Sequence, residues 1–132
     1  MATIMVVDDA AFMRMRCSKL LSDNGYEVIE ASTGGEAVKL FQMANPDGVL
    51  MDVTMPDMDG LRALQEIRGK SPGARVALIT AMGRESIVRE AMRLGVNDFV
   101  VKPFSTERLL AAARKLAGSG EASVNPRPEG QP

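Results

Sequence analysis

Acidic side chains that close apolar runs are the residues of this sequence best placed to do chemistry. Asp8 and Asp9 follow Thr3-Ile4-Met5-Val6-Val7, and Asp52 follows Gly48-Val49-Leu50-Met51. A charge is costly to take out of water unless it is paired, metal-bound or neutralised, so Asp52 needs partners from elsewhere in the chain. Two further runs end on polar groups, Ala74–Ile79 on Thr80 and Phe99–Val101 on Lys102. Three carboxylates meeting at one place repel one another and hold protons more tightly unless a cation sits between them. Hard oxygen ligands at few protein positions suit Mg²⁺. With its charge offset, Asp52 becomes a nucleophile toward phosphorus, the route to an aspartyl phosphate. The Lys102 ammonium would then pair with one phosphoryl oxygen and the Thr80 hydroxyl would donate to another.

Each residue also has a plainer reading. Adjacent acids such as Asp8 and Asp9 commonly cap a helix N-terminus, where carboxylates meet the positive end of the dipole. Thr80 alone is an ordinary β-branched strand residue, and Lys102 alone a surface lysine before a turn. Asp57 and Asp59 keep the plain reading: they sit after Pro56 in a turn and face solvent. It is the joint placement at run ends that favours a site.

Elements must bring these ends together. Short apolar runs alternate with segments of helical spacing: Met13, Cys17, Leu20 and Leu21 before Gly25; Ala37, Leu40, Phe41 and Ala44 before Asn45-Pro46; Leu61, Leu64 and Ile67 after Gly60. Residues 84–95 give a fourth helix closed by Gly95 and residues 105–118 a fifth, with Ser105 as its cap. Five strand and helix pairs joined by short links predict an α/β fold with a parallel sheet covered on both faces. In such a sheet the strand C-terminal ends share one edge, and ligands bind where the strand order reverses. The second run, Tyr26–Ala31, brings nothing comparable to that edge, as expected of an edge strand.

Composition narrows the chemistry further. The chain has 132 residues with 45% hydrophobic and 25% charged, enough for one domain with an ordinary core. Sixteen basic against 17 acidic residues, a formal net charge of -1, give no electrostatic reason to expect nucleic acid or an anionic membrane as partner. With no histidine, imidazole bases, His metal ligands and Ser/His/Asp triads are all excluded. A single cysteine, Cys17, cannot form an internal disulfide and is read as a core residue of a protein in a reducing compartment. The first residues lack a secretory pattern, so a cytoplasmic location is expected. Ten methionines fall mostly at core-spaced positions, with Met55, Met58 and Met82 near the site loops as exceptions. After Gly118 the composition turns to small, polar and proline residues, which cannot repay the entropy of ordering. The expected division is a domain over residues 1–118 and a disordered tail over 119–132.

The stretches "VVDD", "MDVTMPDMDG", "ITAMG" and "FVVKPF", at these separations, resemble the receiver domain of two-component response regulators from about Thr3 to Gly118. The resemblance implies a flavodoxin-like (βα)5 fold with strand order 2-1-3-4-5; the same order is named for a chemotaxis receiver in general accounts of doubly wound folds. It implies Asp52 as phosphoacceptor, and Mg²⁺ held by Asp9, Asp52 and the main-chain carbonyl of Thr54, with Asp8 acting mainly through water. It further implies Thr80 and Lys102 on the phosphoryl group, a cis Lys102-Pro103 bond, and Phe99 as the switch aromatic moved by Thr80. "VDDAAFMRM", "AMG" and "VREAM" are similar to stand-alone chemotaxis receivers of the CheY type. The partners so implied are a CheA-like sensor histidine kinase, an output protein such as the flagellar switch, and a dedicated phosphatase, with no nucleic acid or membrane and a monomeric protein.

Three rival readings are weighed. A receiver serving another phosphorelay or a gene-regulatory pathway is the nearest. A haloacid-dehalogenase-like phosphatase needs a second aspartate two residues after the nucleophile, where this chain has Thr54. Nucleotide or flavin binding needs a glycine-rich phosphate loop after the first strand, where Asp8 and Asp9 would repel phosphate instead.

Thr54 and Met82 occupy positions that the family uses to control access of the hydrolytic water. A methionine cannot orient that water as a carboxylate or amide does, so self-dephosphorylation is expected to be slower than in relatives with polar residues at both places. A chase of the phosphorylated protein in Mg²⁺ without a phosphatase checks this, and a lifetime of seconds would contradict it.

Overall fold

The apolar runs form strands β1 (Thr3–Val7), β2 (Glu27–Ala31), β3 (Gly48–Asp52), β4 (Val76–Ala81) and β5 (Asp98–Lys102). The segments of helical spacing form α1 (Ala11–Asp23), α2 (Gly34–Ala44), α3 (Gly60–Lys70), α4 (Glu85–Arg93) and α5 (Thr106–Ala117). The computed structural model describes residues 1–53, 60–81 and 85–118, and the tail expected over 119–132 lies outside them. All pairings in the sheet are parallel, in the order β2-β1-β3-β4-β5. The alternation of elements predicts the parallel sheet, and the strand order is the flavodoxin-like one that the resemblance implies.

Strand alternation divides the core into two layers. Met5, Val7, Val49, Met51, Val76 and Leu78 pack with α2, α3 and α4 residues such as Phe41, Leu64 and Ala91. Ile4, Val6, Leu50, Ala77, Ile79 and Val100 pack with α1 and α5 residues such as Cys17, Leu21, Leu109 and Leu116. β3 is buried along its whole length, as a central strand covered on both faces must be. β2, at the edge, exposes Glu27 and Glu30. At Gly48 a Cβ would overlap the Leu116 side chain, so the glycine is what lets α5 lie flat on the start of β3.

Local signals set the helix ends. Asn45 adopts a left-handed conformation (φ 48°) and stops α2 ahead of Pro46, while Gly25 and Gly95 take positive φ after α1 and α4. Thr33 accepts the Glu36 N–H at 3.0 Å and Glu36 in turn accepts the Ser32 N–H at 2.7 Å, a reciprocal cap on α2. Ser105 caps α5 as expected, accepting the Arg108 N–H at 3.1 Å. The methionines depart from expectation: Met5 and Met51 are buried, but Met1, Met15, Met43 and Met92 are exposed. Spacing alone does not separate a core methionine from one on the rim of a helix, because the unbranched thioether tolerates either.

The start of β5 is tied to α5 by an ion pair whose carboxylate is shielded from solvent while its cationic partners reach the surface. The Asp98 carboxylate is 8% exposed and accepts from Arg108 Nη1 at 2.9 Å and Nη2 at 2.7 Å, with Lys115 Nζ at 3.5 Å. The Arg108 hydrogen bonds outweigh the opposing cost of burial and hold the Asp98 carboxyl down at about 2, against an ordinary 3.8. A carboxyl depressed in the folded state stabilises fully above its unfolded pKa, and that stabilisation is lost as pH falls through the folded value. The clamp is therefore expected to weaken between about pH 3.8 and 2. Urea unfolding across this window should show a shallower loss of stability for Asp98→Asn than for the parent, and equal slopes would show that the clamp carries none of the acid sensitivity.

Candidate functional site

Register decides which strand ends meet. Val7 pairs with Met51 and with Ala31, Asp52 with Ile79, and Thr80 with Val101, so the tips of β1, β3, β4 and β5 lie level at one edge. By pleat alternation Asp8, Asp52 and Lys102 fall on the face of Val6, Leu50 and Val100, toward α1 and α5, while Thr80 falls on the face of Leu78. One carboxylate oxygen from each of Asp8, Asp9 and Asp52 lies within 4.8 Å of the other two. Asp8 and Asp52 are buried and Asp9 is exposed, so the cluster is open on one side.

Asp8 is held at three points. Its N–H donates to the Ala31 carbonyl at 3.1 Å, its Oδ1 accepts the Ala10 N–H at 2.9 Å, and its carbonyl accepts from Arg14 Nη1 at 2.7 Å. The capping role suggested for the acid pair is not seen: Ala10 is the N-cap of α1 without a side-chain cap, and the Asp8 carboxylate instead closes the preceding turn on the Ala10 N–H and faces Asp52. Asp52 continues the ladder through Val53, whose N–H donates to the Ile79 carbonyl at 2.9 Å. Lys102 Nζ stands 3.8 Å from Asp52 Oδ1, and the Lys102-Pro103 bond that follows is cis. Thr80 is buried at the tip of β4. Phe99, opposite Leu78 on the neighbouring strand, is half-buried on the Thr80 face against the α2/α3/α4 layer. Thr54, Met55, Asp57, Met58, Asp59 and Met82 lie outside the described residues.

Gly60 shapes the floor of the site. Its N–H donates to the Val53 carbonyl at 2.6 Å, and a Cβ there would overlap the Asp52 carbonyl oxygen and crowd Val53 Cα. The start of α3 can therefore approach the end of β3 only without a side chain.

The donor set is three carboxylates with no nitrogen or sulfur among them, which fits a hard divalent cation of the Mg²⁺ class. A cation beside a carboxylate nucleophile on one side and an ammonium on the other is an arrangement able to receive and hold a phosphoryl group. Cys17 takes no part: it is buried in the α1 layer, and burial first, then the Asp8 charge, push its thiol up to about 11. It is an inert core thiol at neutral pH.

Two residues at this edge escape a reading of run ends. Arg14 and Glu30 pair at 3.0 Å beside Asp8, so the tip of β2 does contribute to the site after all. The sequence hint is faint: a basic residue in the first turns of α1 and an acid just before Ala31. Nothing short of the β1–β2 register brings them together.

Residues 4–114 match the model of the response regulator receiver domain. The chain is 48% identical over 113 residues to the protein named "Chemotaxis protein CheY" of Bacillus subtilis, an overlap covering 85% of this chain and 94% of that protein. With the protein of the same name from Thermotoga maritima it shares 44% identity over 115 residues, 86% of this chain and 96% of that one. Among solved structures, a response regulator receiver domain protein from Clostridium thermocellum aligns with a TM-score of 0.86 at 28% identity, covering 92% of this chain and 98% of the other.

The Gly60 contact yields a direct test. Gly60→Ala is expected to destabilise by about 1–3 kcal/mol through overpacking against β3. Gly69→Ala, in the same helix with open space around its Cβ position, should be stabilising by about 0.5–1 kcal/mol. Urea unfolding of the two variants separates these, and equal effects would show that α3 has room to shift.

Proposed function

The chain belongs to the response regulator receiver domain family, the phosphorylation-controlled switches of two-component signalling, and we propose that Asp52 is its phosphoacceptor in a Mg²⁺-dependent reaction whose output is control of the flagellar motor. The observation that carries this reading is the convergence of the Asp8, Asp9 and Asp52 oxygens within 4.8 Å, with Lys102 Nζ on the Asp52 side.

A histidine kinase resembling the chemotaxis kinase presents phosphohistidine at the open side of the cluster. The phosphorus–nitrogen bond breaks as an Asp52 oxygen forms its bond to phosphorus, in line, and the electron pair returns to the donor imidazole. Asp9, Asp52 and the Thr54 carbonyl would hold Mg²⁺, with Asp8 acting through water, and the ion would supply charge neutralisation at the carboxylates and the phosphoryl oxygens. Lys102 has 3.8 Å to cover to Asp52 and is positioned to move its ammonium onto a phosphoryl oxygen. Thr80 donates its hydroxyl to another.

Switching follows from where Thr80 sits. Drawn toward the phosphoryl group, its side chain leaves space on the face it shares with Phe99, and the ring turns inward. A phenyl ring has no hydroxyl with which to hold either position, so packing alone sets the balance. Phosphorylation then shifts the population of two states by its differential interaction with each. The protein is a signalling receiver, and the chemistry assigned to it is its own phosphorylation and slow dephosphorylation.

The likeness to the chemotaxis proteins supports the flagellar switch as output, with a dedicated phosphatase ending the signal. Among the described residues no helix is long and apolar enough to cross a membrane. A cytoplasmic monomer with its receiver domain over residues 1–118 fits this reading.

Incubation with acetyl phosphate and Mg²⁺ should add one phosphoryl group to the intact mass of the parent protein and none to Asp52→Asn. The flagellar switch protein should then be retained by the beryllofluoride-treated protein and not by the untreated one. Phosphorylation of Asp52→Asn to the parent level would move the acceptor elsewhere, and retention independent of beryllofluoride would assign the output to another pathway.

A further inference from the structure

Arg14, on the α1 side of the acidic cluster, spends its donors in an unexpected direction. Its Nη1 donates to the main-chain carbonyl of Asp8 at 2.7 Å and its Nε to Glu30 Oε1 at 3.0 Å. Glu30 immediately precedes Ala31, whose carbonyl accepts the Asp8 N–H at 3.1 Å. The contacts close a ring from Asp8 to Ala31, along the chain to Glu30, across to Arg14 and back to Asp8. The two hydrogen bonds of this guanidinium go to a carbonyl and to a carboxylate outside the cluster, and the Asp8 carboxylate keeps an uncharged partner, the Ala10 N–H.

We propose that Arg14 is a positioning residue for the acidic site and that Glu30 aims it: the pair straps the tip of edge strand β2 to the turn between β1 and α1, fixing how Asp8 and Asp9 present their oxygens to a divalent cation. The inference rests on the reading of Asp8, Asp9 and Asp52 as the holders of Mg²⁺. The side chains of Arg14 and Glu30 are 20% and 42% exposed, and ion pairs this close to water add little to stability. Their effect is on direction. Partners behind metal-binding groups commonly change affinity ten- to a hundred-fold while leaving the ligands themselves intact.

Charge and position make opposite predictions for Arg14. As a cation near the cluster it would oppose a second cation by Coulomb repulsion, so removing it would tighten Mg²⁺ binding. As a strap it holds the turn that carries Asp8 and Asp9, so removing it loosens the ligands and weakens binding. Glu30 contributes the same contrast: shortening it to aspartate keeps the charge and takes away the reach.

Calorimetric titration of the unphosphorylated protein with Mg²⁺ alone reads the difference without any phosphoryl transfer. Arg14→Gln and Glu30→Asp are each expected to weaken Mg²⁺ binding roughly ten-fold, and the double variant no more than the weaker-binding single. Unfolding in urea without Mg²⁺ monitors the fold of each variant. If Arg14→Gln does not fold, Glu30→Asp decides alone, since it keeps both charges in place. Tighter or unchanged binding in Arg14→Gln, unchanged binding in Glu30→Asp, or additive losses in the double variant would overturn the strap. A parent protein that fails to bind Mg²⁺ would instead overturn the metal site on which it rests.

Discussion

Carboxylates gathered at the end of a buried strand are the constraint around which this molecule is organised. Asp8 and Asp52 are inside the protein, and one oxygen of each, with one of Asp9, lies within 4.8 Å of the others. Groups so placed repel, and hydrogen bonds and nearby cations must hold them where water cannot. The Ala10 N–H on Asp8 and the Lys102 ammonium near Asp52 supply part of that compensation. The exposed side at Asp9 keeps the cluster open to solvent and accessible.

The parallel sheet makes this constraint affordable. Strands paired in parallel and covered on both faces put every C-terminal tip at one edge, while the apolar bodies of β1 and β3 pack in two layers. Close approach at that edge depends on small residues: Gly60 admits α3 to the back of Asp52, and Gly48 admits α5 to the start of β3. Alternation then separates the side chains by face. Asp52 and Lys102 share the α1/α5 side, whereas Thr80 and Phe99 share the other.

Away from the site, the Asp98–Arg108–Lys115 cluster fastens β5 to α5 beneath Phe99. Arg108 also donates to the Phe99 carbonyl at 3.1 Å, so the backbone of the aromatic residue is fixed while its ring lies at the half-buried rim of the core.

Strand and helix identities, the edge position of β2, the cap at Ser105 and the stop at Asn45 were legible in the sequence, because apolar period and turn chemistry are local properties. So were Asp8, Asp9, Asp52, Thr80 and Lys102 as residues at run ends. Their broad chemistry followed from residue type and the boundary near Gly118 from composition, while the finer roles came from resemblance; Thr54 lies outside the described residues. Only the tertiary structure decided which face each tip addresses, that α3 needs Gly60 at its first position, and that Met1, Met15, Met43 and Met92 are exposed. It alone joined Arg14 to Glu30 across the β1–β2 pairing. The reason is physical: local pattern states that a side chain is polar and sits at a strand end, but distance between ends is set by register, and register is a property of paired chains.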